Sequence, residues 1–514
     1  MAVTSPQSRR AVLVAFSGMM LATLLAALDQ TIVATALPRI ASDLHGFADL
    51  PWVVTAYLVS STVTVPLYGK FSDLYGRRRL FVVSISIFVG GSALCAVAGS
   101  VGQLVVFRAL QGVGAGGLLP LSQAAIADLF SPRERGRYQG YIGAMWATAA
   151  IAGPLLGGTL TDHATWRWIF LINLPLGALA LVAVVRTMPV AFQARRHEID
   201  YAGAVTLTIA VTSVLLMTAW GGVTYAWDSP QVLAAAAIGA IGLVAFLGIE
   251  RRAREPLLPL ALFRQPIFAV TSSGAFIIGA LLFGVTIYTP VFVQGVLGQS
   301  ATHSGVVLIP LSLGWVASAF VSGQLVARTG RYRVFPILGT ALVLCGMLTL
   351  THVGTGTSGL TVAAALVLTG LGMGVTWPVY VVATQNAVDP SQLGVATATL
   401  QFFRTMGGSL AVAALGALLT NRLAAELPAH VGRAAAERVD TNQLIQGGAH
   451  VAPSLRGGIE AALDAALDPV FLALVPLAAA GIALALGLKE RPLRRSRPSV
   501  EVRNQLQVTR NDGV

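Results

Sequence analysis

GKFSDLYGRRRLF, running from Gly69 to Phe81, sets one carboxylate, two glycines and four cations between two long apolar stretches. The polar turn is short and the runs on either side are long, and those runs decide the fold. Of 514 residues, 55% are hydrophobic and 11% charged, and the mean hydropathy of +0.74 lies far above that of a water-soluble chain. A hydrocarbon core of roughly 30 Å takes about 20 apolar residues in a helix. Fourteen windows qualify: 12–36, 51–69, 80–99, 103–128, 136–160, 166–187, 201–221, 231–250, 266–295, 302–326, 334–352, 359–385, 395–420 and 469–488. Runs this long exclude barrel strands, which alternate over about ten residues, and in lipid only helices and closed barrels satisfy their own backbone. The expected fold is an all-α integral membrane protein with 14 transmembrane helices.

The basic start, MAVTSPQSRRAVLVAF, leads into an apolar run with no A-x-A cleavage pattern and is read as a retained helix. With the N-terminus inside, 26 of the 34 Lys and Arg fall in inner segments and six in outer ones, namely Arg39, Arg167, Arg422, Arg433, Arg438 and Arg456. The remaining two, Arg108 and Arg404, fall within spans. This asymmetry obeys the positive-inside rule and puts both termini in the cytoplasm. The net charge of +12 is therefore topological, its basic tail meeting anionic lipid, and nucleic acid is not an expected partner. Arg outnumbers Lys 32 to 2, a bias of GC-rich bacterial genomes, which suggests a bacterial plasma membrane.

An internal repeat divides the chain. QGVGAGGLLP (Gln111 to Pro120) matches TGLGMGVTWP (Thr369 to Pro378) in three glycines and a proline at an offset of 258 residues. Pro132, Gly136 and Gly158 fall on Pro390, Gly394 and Gly416 at the same offset, and GKFSDLYGRRRLF aligns with GQLVARTGRYRVF (Gly323 to Phe335) at an offset of 254. The implied organisation is a cytoplasmic N-terminus (1–11), a six-helix bundle (12–187), a linker with two inserted spans (188–265), a second six-helix bundle (266–488) with an outer loop (421–468), and a basic tail (489–514). Paired halves with a site between them are a transporter architecture.

Charges inside the membrane cost about 2.5–3.5 kcal/mol at mid-helix on insertion scales, so each is a functional candidate. Asp29 lies about seven residues inside the outer end of the first span and Arg108 about five inside the outer end of the fourth, roughly 8–10 Å deep at 1.5 Å per residue. At a shared depth each can relieve the other's burial, and the acid's hold on a proton becomes a contest between desolvation and the cation. Two readings stand: a proton-coupling pair for which a cationic substrate competes, or a static structural pair. Arg404 has no deep acid in its own half; it either receives an anionic group of a substrate or packs beside Gly407 and Gly408. With one deep acid, the expected cargo is a neutral, monocationic or zwitterionic amphiphile exchanged for about one proton. Tyr57, Gln123, Trp146, Gln401 and Phe402 join Arg404 as candidate cavity walls, aromatic faces with polar handles.

Gly69 and Gly76 suit the opening turn, where a side chain would be penalised. Asp73 and Arg77 sit four apart and could face one another or a neighbouring helix, and Asp128 ends the fourth span on the same side, so an Asp73–Arg77–Asp128 cluster is possible beside Arg78. GKFSDLYGRRR resembles the signature loop of the major facilitator superfamily, and AIAGPLLGG (Ala150 to Gly158) resembles its antiporter motif. ALDQTIVATALP (Ala27 to Pro38), FRALQGVGAGG and REPLLPLALFRQPIF (Arg254 to Phe268) are similar to its fourteen-helix drug:proton antiporter group, multidrug efflux transporters. The resemblance implies that the Gly69–Arg79 turn latches the halves in the outward-facing state; anchoring of the loop is the other reading, although the second copy keeps Gly323, Gly330, Arg331 and Arg333 and puts Ala327 where Asp73 would be. It likewise implies that Gly153, Pro154, Gly157 and Gly158 form a hinge and seal, beside simple close packing.

The expected function is proton-coupled export of amphipathic drugs or other small hydrophobic compounds by alternating access, with a lipid or secreted-metabolite exporter as the alternative. Its partners are substrate, protons and membrane lipids, and it is expected to act as a monomer. Cys95 and Cys345 are too far apart to suggest a redox pair. No H-E-x-x-H, nucleophile elbow, Walker loop or metal-spaced cluster appears, so no enzyme activity, metal or cofactor is expected.

Overall fold

The computed structural model describes residues 6–44, 50–188, 200–222, 224–299, 301–354, 356–436 and 455–493, and its long elements are all helices. The first bundle comprises α1 (Pro6–Leu44), α2 (Leu50–Tyr75), α3 (Arg77–Ala96), α4 (Val101–Leu129), α5 (Pro132–His163) and a broken sixth pass, α6 (Trp168–Leu171) with α7 (Asn173–Thr187). Then come α8 (Tyr201–Trp220) and α9 (Pro230–Glu250). The second bundle comprises α10 (Pro266–Gly295), the short α11 (Ala301–Val307), α12 (Ile309–Thr329), α13 (Val334–Leu350), α14 (Gly359–Ala387), α15 (Leu393–Val431), the single turn α16 (Arg433–Ala436) and α17 (Arg456–Leu486). Parts of the expected linker (189–199), the outer loop (437–454) and the tail beyond 493 lie outside the described residues.

Helix ends follow local chemistry. Ser100, Ser229 and Ser358 accept the backbone N–H of Gln103, Val232 and Thr361 at the starts of α4, α9 and α14, meeting donors that have no partner inside the helix. Gly330 ends α12 in the left-handed region, and Gly76, with φ 90°, breaks α2 from α3, as the turn's glycine suggested. Twelve helices among the described residues are long and apolar enough to cross a bilayer. The other two expected spans fall short of that measure: α13 has 17 residues, and the middle of α2 is diluted by Ser60, Ser61, Thr62 and Thr64.

The Ala-rich ends of the outer segment are helical, as continuations of the flanking spans. α15 runs 39 residues, roughly 58 Å at 1.5 Å per residue, about twice a bilayer core. Its Ala, Leu and Glu favour helix, and Leu423 and Leu427 are buried in a cluster with Ile459 and Leu463 of α17. α8 and α9 pack on each other, and α8 leans on both α2 and α15, where Val63, Leu207, Val211, Leu215, Phe246 and Met406 form one apolar cluster. Lys70 of α2 pairs with Glu255, just beyond α9, at 3.7 Å.

The bundles meet along two crossings, α2 with α15 and α5 with α12. In the first, a Cβ on Gly69 would overlap Ala398 and lie 2.9 Å from the Gly394 carbonyl; in the second, a Cβ on Gly136 would lie 3.1 Å from the Gly323 carbonyl. Gly69 and Gly323 are repeat equivalents, and so are Gly136 and Gly394. One contact is therefore made twice, about a pseudo-twofold axis, and both copies close the same end of the molecule. Gly69→Val and Gly323→Val are expected to part the bundles there: spin labels at Arg79 and Arg328 will show a longer distance than in the unsubstituted protein, and an unchanged distance would contradict this role for the crossings.

Candidate functional site

Three arrangements carry the polar chemistry of the spans. The first lies inside the N-terminal bundle. Asp29 of α1 and Arg108 of α4 meet as the depth argument anticipated, Nη1 donating to Oδ2 at 2.7 Å. The other carboxylate oxygen accepts Gln111 Nε2 at 2.8 Å and Asn173 Nδ2 at 3.1 Å. Arg108 also donates to Gln111 Oε1 at 2.7 Å and to the Val53 carbonyl at 3.3 Å. Ser92 accepts from both amides, at 3.1 and 2.9 Å, and donates to the Phe170 carbonyl at 3.0 Å. Asp29, Gln111, Asn173 and Ser92 are fully buried and Arg108 is 2% exposed, so two opposite charges share one buried enclosure.

Tyr57 belongs to this enclosure. Its ring lies 4.1 Å from the Arg108 Cζ, a distance at which a cation is attracted to a ring face, and it does not line the cavity to which the sequence reading assigned it. The reason is rotational: residue 57 falls on the face of α2 that turns toward α4. Gln111, Asn173 and Ser92 were not anticipated. Gln111 follows Arg108 by three residues and Asn173 interrupts an apolar run, which are signals in hindsight, but neutral polar groups do not stand out in a span as charges do.

The second arrangement is a cavity of about 410 Å³ between the bundles. It is lined by Gln30 and Thr31 of α1, Ser61 and Thr62 of α2, Gln123 of α4, Gln139 and Trp146 of α5, Phe283 and Thr286 of α10, Trp315 of α12, Trp377 of α14, and Gln401, Arg404 and Thr405 of α15, among others. Gln123, Trp146, Gln401 and Arg404 are where the sequence reading put them. Phe402 is not: it packs with the cluster joining α2, α8 and α9, because it sits about 100° around the helix from Gln401. Asp29 is absent from the lining, although Gln30 and Thr31 beside it are present, so the fully buried acid lies behind the cavity wall.

The third arrangement is the turn at the closed end. Arg77 bridges Asp73 at 2.6 Å and Asp128 at 3.0 Å and also contacts the Ser72 hydroxyl. Asp73 reaches across to the other bundle, where its two oxygens accept the backbone N–H groups of Gly394 and Val395 at 2.9 and 2.8 Å. These lie in the first turn of α15, whose own preceding residue, Gln392, supplies no side-chain cap. Asp73 therefore caps in trans a helix terminus that favours negative charge. The repeat-related start of α5 is served locally, with Glu134 accepting from the Ser131 N–H and hydroxyl at 3.0 and 2.7 Å, and so the partner copy has no use for an acid at Ala327. Among the described residues Arg78 forms no ion pair with the cluster.

In the antiporter stretch, a Cβ on Gly153 would overlap the hydroxyl of Thr31, which itself donates to the Ala149 carbonyl at 2.9 Å. Pro154 lies within the unbroken α5, Gly157 is buried, and Gly158 faces open space. Close approach is thus used at Gly153 and not at Gly158.

The Major Facilitator Superfamily profile matches residues 19–412. A multidrug transporter protein of Bacillus subtilis, MdtP, is 38% identical over 450 residues, covering 85% of this chain and 83% of that protein. Multidrug resistance protein 3 of the same organism is 33% identical over 478 residues, covering 91% and 93%. Among solved structures, the proton:xylose symporter XylE superposes with a TM-score of 0.62 at 14% identity, covering 93% of this chain and 95% of that one.

Removing one member of a buried charge pair strands the other, which costs about 3–5 kcal/mol. Arg108→Met is expected to lower the thermal midpoint of the detergent-solubilised protein sharply, and Arg108→Met combined with Asp29→Asn to recover most of the loss. Additive losses in the double variant would show that the two side chains do not depend on each other.

Proposed function

The chain belongs to the major facilitator superfamily and is a multi-pass membrane transporter, and from that premise we propose that it exports amphipathic drugs or similar small hydrophobic compounds in exchange for protons. The observation that carries the reading is the Asp29–Arg108 pair sealed inside one bundle directly behind the cavity wall. The names of the Bacillus subtilis relatives, a multidrug transporter and a multidrug resistance protein, support the drug-efflux half of it. α2 and α13 join the twelve apolar helices as spans, giving fourteen, with both termini in the cytoplasm of a bacterial cell as the placement of Lys and Arg favours.

In that orientation the end closed by the glycine crossings is cytoplasmic, and the cavity opens outward. Asp29 takes a proton from the outer side. Neutralising it releases Arg108 from its counter-ion, and Arg108 holds the Val53 carbonyl of α2 and the Tyr57 ring, so the change in charge is passed to α1, α2 and α4, three of the cavity's walls. Coupling therefore runs through helix positions and not through contact between substrate and acid. Asp73, held on the first turn of α15, and Arg77, held on Asp128, keep the cytoplasmic end shut until the bundles rock. A proton moving inward gains about 2.3 kcal/mol per 100 mV, enough to favour export.

The test uses purified protein in lipid vesicles under an imposed pH gradient. The protein is expected to drive an amphipathic dye against its gradient, and Asp29→Asn to lose that pumping while still equilibrating dye without a pH gradient, which establishes that the variant is folded. Gradient-driven pumping by Asp29→Asn at the rate of the unsubstituted protein would refute the coupling role.

A further inference from the structure

Because the Asp29–Arg108 pair is sealed from the cavity, selection of the cargo's charge falls to the side chains that line it. Among the described lining residues the charged one is Arg404, and none is a carboxylate. The Arg404 guanidinium lies over the Trp377 ring, its Cζ 4.8 Å from the centroid, and its Nε is buried with no hydrogen-bond partner. A guanidinium cannot shed its charge, Arg404 is half-buried, and among the described residues it has no ion-pair partner, so an anion entering the cavity meets an uncompensated cation. Its main chain is fixed as well: a Cβ on Gly279 of α10 would overlap the Arg404 carbonyl, so α10 and α15 meet there at backbone contact.

Three glutamines on the same cavity add to this. Gln123 has both amide atoms buried and unpartnered, Gln139 its Nε2 and Gln401 its Oε1. Buried polar atoms are seldom left without partners, and together with the Arg404 Nε these make five, all on side chains that line one cavity. They include donors and acceptors in addition to a cation, a set that fits a carboxylate with a further polar group nearby.

We propose that the cavity selects monoanionic amphiphiles, with a carboxylate, or another acid ionised at neutral pH, seated on Arg404, the glutamine amides bonding the polar end, and a flat apolar body held by Trp146, Trp315 and Phe283. This revises the expectation of a neutral, monocationic or zwitterionic cargo, which was drawn from Asp29 being the one deep acid. The inference rests on the efflux reading for the direction of transport and not for binding. A monoanion leaving as a proton enters moves two charges across the membrane, so the membrane potential drives both.

The test is equilibrium binding to the purified full-length protein of 1-pyrenebutanoate, its methyl ester and 1-pyrenebutylamine, which share one apolar body and differ in charge. The carboxylate is expected to bind about tenfold or more tightly than the ester, the size of a charge-assisted hydrogen bond, and the amine more weakly than either. Arg404→Gln is expected to erase the difference between carboxylate and ester and to leave ester binding in place. An amine that binds the unsubstituted protein as tightly as the carboxylate, or a carboxylate preference that survives Arg404→Gln, overturns the proposal. Should Arg404→Gln bind none of the three, Arg404→Lys decides: a retained preference supports the assignment and a lost one overturns it. No gradient is needed for binding, so anion selectivity without proton-driven transport would count against the efflux reading alone.

Discussion

A carboxylate and a guanidinium buried together in a lipid-embedded helix bundle must keep one another and must be fully hydrogen-bonded, because neither can recover the water it has lost. Much of the N-terminal bundle is organised by that requirement. α1 contributes Asp29, α4 contributes Arg108 and Gln111, α7 contributes Asn173, α3 contributes Ser92, and α2 contributes the Val53 carbonyl and the Tyr57 ring. Five helices are thereby tied to one point, and a change in the charge of that point reaches all of them. The same sealing leaves the cavity with apolar, hydroxyl and amide walls and, among the described residues, a single cation, from the other bundle. The chain thus separates its buried charges in space, the acid and its arginine inside one bundle and Arg404 of the other on the cavity wall.

The duplicated halves are alike where they pack and unlike where they are charged. Both copies use a glycine of the signature turn against a glycine of the opposite bundle, at Gly69 with Gly394 and at Gly323 with Gly136, since backbone-to-backbone contact tolerates no Cβ. The caps differ. α5 carries its own in Ser131 and Glu134, whereas α15 borrows Asp73 from α2. Opening of this end would thus strip a cap from α15 and leave α5 capped, so the energetic asymmetry is written into two short turns and not into the bundles at large.

Much of this was legible in the sequence, for physical reasons that can be named. Charge in an apolar span is conspicuous, which is why Asp29, Arg108 and Arg404 stood out, and a shared depth made a pairing of the first two possible without fixing it. The repeat offsets marked Gly69 with Gly323 and Gly136 with Gly394 as equivalents but not as crossing points, and the acid missing at Ala327 pointed to unequal turns. What the sequence withheld was the rotation of helices that are apolar on nearly every side: without a polar stripe to phase the turn, Tyr57 and Phe402 could not be assigned to a face, and both were assigned to the cavity when neither lines it. Gln111 and Asn173, polar but uncharged, did not register as costly. The length of α15 was also hidden, because its outer turns are Ala-rich and too polar to read as span while remaining good helix.

The most direct measurement is difference infrared spectroscopy of the purified protein across pH, comparing it with Asp29→Asn. If residue 29 gains and loses a proton within its enclosure, a carboxylic-acid C=O band will rise on acidification, its midpoint will move when cargo binds, and the band will be missing from the Asn variant. An identical band in both proteins, or none in either, would mean that the pair is a fixed strut and that the coupling of transport to protons lies elsewhere.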